Sequence, residues 1–154
     1  MATKVKLKIN DNLNLRDKLD SVYETASKIQ VARWALNLAT HILQISANEY
    51  LNNEIIKNGF QVNYLWQEEK ANMNNVRQAG FKVHKLAKQC QDESIRIALR
   101  VVGHCVATGH MKEHGMIGSD YAIKYMNLVF PNNNEAVKKE REWQIDCLLS
   151  HIIK

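Results

Sequence analysis

An all-α fold is predicted for this sequence: a single compact bundle of about six or seven helices with a buried central helix. Three observations carry that expectation. Apolar residues recur at spacings of three and four through almost the whole chain, the period of one helix face. The joints between those stretches carry helix-starting and helix-stopping residues, among them Ser27, Asn72, Asn134 and the only proline, Pro131. The stretch from Ile95 to Ala107 is apolar on nearly every side, which suits a helix enclosed by others. With 154 residues, 45% of them hydrophobic and 24% charged, the chain fits one globular domain and neither a disordered nor a fibrous one.

The chain divides into an N-terminal arm over residues 1–14 and one helical domain over 15–154. In the arm, Lys4 to Ile9 alternates charge with Val5, Leu7 and Ile9, a period of two that fits an edge strand, an arm laid across a partner, or a flexible terminus. After the polar break Asn10 to Asn14, Leu15, Leu19, Val22 and Ala26 mark a first helix. Ser27 followed by Gln30 forms a capping box that starts a second, with Val31, Trp34, Ala35, Leu38, Ile42 and Ile45 on its core face. A third is expected over Glu49 to Lys70, weakened at Gly59, and a fourth over Asn74 to Cys90. The fifth runs from Asp92 or Ser94 to Gly115, with the glycine as a left-handed cap. Ser119 is expected to cap a sixth that Pro131 stops, and Asn134 opens the seventh.

The net charge of +5 favours an acidic partner surface, yet basic residues are interspersed with acidic ones, so a nucleic-acid partner is not expected. No segment reads as a signal peptide or a membrane span, which gives the expectation of a cytoplasmic protein without a membrane partner. Cys90, Cys105 and Cys147 form no C-x-x-C pair and read as reduced thiols in helical, mostly apolar stretches. Gly115 and Gly118 stand apart and follow no strand, so no phosphate loop is present and no cofactor is expected.

Candidate functional residues concentrate on the fifth helix. Arg96, Arg100 and His104 follow at steps of four, while Gly103, Ala107, His110 and His114 line a second face. A guanidinium near a buried helix needs a partner, for which a carboxylate from another helix is expected at Arg100. His104 reads as a hydrogen-bonded packing histidine or as a ligand. His110-Met111-Lys112-Glu113-His114 has the H-x-x-E-H form of one class of zinc peptidases, in which two histidines a helical turn apart share a metal and the glutamate is the base. Glu135, Glu140 or Glu142 would have to complete such a site, and Gly115 places the second histidine at a helix end with little to orient it, so no metal is expected. A metal-dependent hydrolase or small-ligand protein built on His110, Glu113 and His114 remains the alternative function.

The run from Arg100 to His114, with its G-H-x-V-A-T-x-H-x-x-x-H core from Gly103 to His114, resembles the signature of the immunity protein family associated with bacterial polymorphic toxins. Other segments agree in order: Trp34-Ala35 with Ala39 and His41; Trp66, Arg77 and His84 with Ala87; Tyr121-Ala122 with Lys124; Arg141 with Trp143-Gln144. The resemblance extends from about Ser27 to the C-terminus; Thr40, Gly109, Gly115 and Glu113 depart from the family pattern. It implies a small helical protein, not an enzyme, that binds and neutralises a protein toxin. From the basic charge, that toxin is expected to be acidic or engaged through an apolar patch. Trp34, His41, Arg100, His104, His110 and His114 are the candidates for a binding site or an internal polar network. Arg100 and His104 are expected beside a polar pocket that Trp34 or His41 helps to line.

Overall fold

The computed structural model describes residues 3–153; Met1 and Ala2, which begin the expected arm, and Lys154, which ends the expected domain, lie outside the described residues. Within them the chain forms seven α-helices and no strand: α1 Leu13–Thr25, α2 Lys28–Ser46, α3 Glu54–Gln67, α4 Met73–Gln89, α5 Glu93–Val106, α6 His114–Val129 and α7 Asn134–Ile152. Short polar side chains start most of them. Asn12, Asn53, Asp92 and Asn133 each accept a hydrogen bond from a first-turn N–H, and Ser27–Gln30 and Asn72–Asn75 close both halves of a capping box. Each such cap contributes about 1 kcal/mol.

Three expected boundaries are corrected. Residues 48–52 form a 3-10 turn that precedes α3, and Gly59 is no weak point: a Cβ there would meet Val106 at 3.1 Å, so the glycine lets α3 approach the end of α5. The fifth helix stops at Val106, giving way to a 3-10 turn at Ala107–Gly109, and Gly115 lies in the first turn of α6. A Cβ on Gly115 would sit 2.8 Å from Val31 and 3.2 Å from Trp34; no glycine among the described residues has positive φ, so Gly115 serves close packing rather than a left-handed cap. Ser119 is likewise inside α6, buried, with its hydroxyl donating to the Met116 carbonyl. Serine bonds back to its own helix this way as readily as it caps one.

The core falls into two clusters that share α2. On one side Ala35, Leu38, Ala39 and Ile42 pack with Val83 of α4, Leu99 and Val102 of α5 and Ala122 of α6. On the other, Val31 and Trp34 pack with Leu19 of α1, Met116 of α6 and Ile145 and Leu148 of α7. The expected enclosure of α5 is observed, between α2, α4 and α6. No helix of the described residues is long and apolar enough to cross a membrane.

Residues 3–12 form no helix and no strand. Thr3, Val5, Leu7 and Ile9 are half-buried while Lys4, Lys6 and Lys8 are exposed, so the period of two is that of an extended segment lying on helices. Thr3 donates from both its N–H and its hydroxyl to Asp20, Lys6 reaches Glu113 at 3.7 Å, and Asn10 and Asn127 exchange two hydrogen bonds.

Candidate functional site

Four histidines, His84 of α4, His104 of α5, His110 and His114, line a cavity of about 350 Å³ together with Arg77, Gly80, Phe81 and Ala107. The chain brings them together because α5 ends at Val106 and residues 107–113 double back, so that His110 and the start of α6 return over His104. His104 sits at the centre: its ring lies 4.7 Å from that of His84, 5.2 Å from that of His114 and 5.2 Å from that of Tyr121.

The hydrogen bonds dictate protonation. Arg100 Nη1 lies 3.0 Å from His84 Nδ1, and a guanidinium can only donate, so that nitrogen is bare and the His84 proton is on Nε2. The carboxylate expected opposite Arg100 is replaced by this imidazole. His104 Nδ1 and His114 Nδ1 face each other at 3.0 Å, where one must donate and the other accept, so the two cannot both be cations. Burial, reinforced by the charges of Arg100 and the neighbouring rings, holds His84 down to about 4 and His104 down to about 3. His114 is also lowered, by burial, His110 and Lys6 against the opposing charge of Glu113. Gly103 makes room for this arrangement, since a Cβ there would lie 2.6 Å from the His84 ring.

A pH dependence of stability follows. Unfolded histidine titrates near 6.5, whereas these rings titrate below it, so the unfolded chain binds more protons between about pH 6.5 and pH 3. The stabilisation is complete above that window and lost as pH falls through it. Urea unfolding at pH 7 and pH 5 should differ by roughly 2 to 4 kcal/mol from this source. His84→Gln, which keeps an acceptor for Arg100 but cannot charge, should reduce the difference; an unchanged difference would show that His84 does not carry it.

The H-x-x-E-H segment does not lie on one helix. His110 ends the 3-10 turn and Glu113 precedes α6, so His110 and His114 are not stacked on consecutive turns of one helix. Glu135, Glu140 and Glu142 belong to α7, where Glu140 is bound to His41, and none of the three lines the histidine cavity. Among the described residues no group of three or more His, Cys, Asp or Glu is arranged to hold a metal ion. Cys105 is buried, its thiol pushed up by that burial, and all three cysteines are free.

Trp34 and His41 do not line the histidine cavity; they belong to a second constellation centred on Arg141, which is 0% exposed. Arg141 places all five of its N–H donors: Nε and Nη2 on the two oxygens of Asp11 at 3.0 and 2.6 Å, Nη2 also on Asp120 at 2.8 Å, and Nη1 on Gln144 and Ser119 at 2.9 and 3.2 Å. Burial alone would lower the Arg141 pKa; the bonds and charges of Asp11 and Asp120 outweigh it and raise it. Asp120 also takes a bidentate pair from Arg16, which lies 3.6 Å from Asp20. Gln144 continues the chain through its amide to Glu140, whose other oxygen meets His41 Nε2 at 2.8 Å, and through its carbonyl to Trp34 Nε1 at 3.0 Å. His41 stacks on Trp143 at 3.7 Å, on the wall of a separate cavity of about 440 Å³ between α2, α6 and α7.

The expected single pocket is therefore two separate places, because Trp34 and His41 face α7 across one side of α2 while Arg100 and His104 face α4 and α6. Sequence reasoning left out Arg16, Asp20, Asp120 and Asp11. The signal was faint: short polar residues in helix joints and an acid following Ser119 look like caps and solvated charge. Compared with known families, the chain is similar over residues 21–151 to the one described as Imm-5 like putative immunity protein. No curated protein and no solved structure matches the chain.

Proposed function

Because this chain belongs to the Imm-5 like immunity protein family, we propose that it binds a cognate bacterial toxin and neutralises it by protein–protein contact, as a stoichiometric inhibitor rather than an enzyme. The observation that carries the reading is the family match over most of the chain. The histidine constellation is compatible with it: the rings of His84, His104 and His114, bonded to one another or to Arg100, supply a shaped surface. The proposal places the protein in the cytosol of the producing bacterium, where such a toxin is made.

The test is capture of the untagged protein's partner from the producing cell, followed by co-expression of the two. The expected outcome is growth rescue and complete inhibition at one inhibitor per toxin, with affinity on the order of nanomolar or tighter. Inhibition at far below one equivalent would show turnover and sink the stoichiometric reading. Rescue without a complex would sink it equally.

A further inference from the structure

The charge of this protein is not evenly mixed. Over Met73–Gln89, α4 carries Arg77, Lys82, Lys85 and Lys88, all exposed, and no acidic residue, which corrects the expectation of interspersed signs for this helix. The histidine cavity opens beside that helix. Phe81 is 51% exposed at its edge with the Arg77 guanidinium 4.8 Å above the ring, and Met111, next to His110, is 47% exposed. Arg100 backs the cavity through His84, and the positive charge of Lys6 in the arm bears on His114. Among the described residues the carboxylate acting on His114 is Glu113, at 3.7 Å from Lys6.

We propose that this cavity is the docking site for the partner protein, and that the partner fills it with an acidic side chain flanked by an apolar group. The inference rests on the toxin-binding reading and names the surface and the chemistry. Phe81, Gly80, Ala107 and the imidazoles of His84 and His104, which burial keeps uncharged, give walls that favour an apolar body. Arg77, with Arg100 behind His84 and a helix α4 that carries only basic charges, gives a field that favours a negative end. Exposed aromatic and arginine residues over a preformed cavity are the usual composition of an interface centre. A nucleic-acid backbone would use the lysines and leave the cavity empty. The larger cavity beside His41 lacks this bias, since Glu135 and Glu140 stand there against Lys139.

The test uses the whole protein and two small probes of the same shape, 3-phenylpropionate and 3-phenylpropylamine, followed through the imidazole NMR signals of His84, His104 and His110. The acid should bind at millimolar concentration and the amine at least about tenfold more weakly. Arg77→Glu should weaken the acid about tenfold and Phe81→Ala should do the same, with the melting temperature of both variants unchanged because both side chains are exposed. Equal binding of acid and amine, or binding of neither, overturns the proposal. So do shifts of the same signals by a single-stranded oligonucleotide but not by the acid. With the captured toxin, Arg77→Glu should abolish protection of co-expressing cells while Lys139→Glu leaves it intact. Protection by wild type and by Arg77→Glu alike would sink this site and spare the toxin-binding reading. Acid binding in the cavity of a wild-type chain that complexes no toxin would sink that reading instead.

Discussion

Arg141→Met is expected to destabilise the protein by about 3 to 5 kcal/mol, the loss typical of removing one member of a buried ion pair. The methionine fills much of the volume, so little of the loss comes from a cavity. What remains is Asp11 and Asp120, each 3% exposed at the side chain, with Asp11 deprived of both its arginine bonds and Asp120 left to Arg16 alone. Equilibrium urea unfolding measures the loss, and hydrogen exchange over residues 3–12 should rise with it, since Asp11 is what ties the arm to α7. Adding Asp11→Asn to Arg141→Met should recover part of the stability, because the amide removes a stranded charge. Losses that simply add would show that the two residues are not coupled.

Trp34→Ala is the second large effect, about 3 to 5 kcal/mol. The ring is 0% exposed, packs on Gly115 so closely that a Cβ there would lie 3.2 Å from it, and donates to the Gln144 backbone carbonyl. Trp34→Phe separates the two contributions: it keeps an aromatic body and removes the indole donor from a Gln144 backbone carbonyl that α7 already engages, for which about 0.5 to 1.5 kcal/mol is expected beyond the loss of volume. Thermal unfolding of both variants checks the ordering. A Trp34→Ala protein that melts like wild type would mean that the ring does not hold α2 to α6 and α7.

The two substitutions bear on what the family-like residues do. Trp34, His41, Arg141 and Gln144 lie in the segments that carry the resemblance, and all four meet in one internal network. Their shared part is to hold α2 and α7 together. Arg77, His84, His104, His110 and His114, from the other such segments, meet around the cavity proposed for the partner.

Helix content, the order of the helices, most of their starts and the enclosure of α5 follow from local rules and are legible in the sequence. A cap satisfies N–H groups two or three residues away, and an apolar stripe needs only its own period, so both are visible in a short window. The end of α5 was not legible. His110 through Gly115 reads as a helix C-terminus because glycine after histidine and lysine suits a left-handed cap, and only the position of Val31 and Trp34 shows that Gly115 is small so that α2 can approach α6. The same holds for partners. Arg100 needs an acceptor, but whether a carboxylate or a bare imidazole nitrogen supplies it depends on where α4 crosses α5. Arg141 finds Asp11 130 residues away in the chain and Asp120 on another helix. A charge carries no local mark of burial, because its burial is set by what packs over it. The sequence by itself therefore determined the helices and the chemical groups each one presents; the tertiary structure decided which groups meet, splitting one expected pocket into an internal ionic network and a histidine-lined cavity.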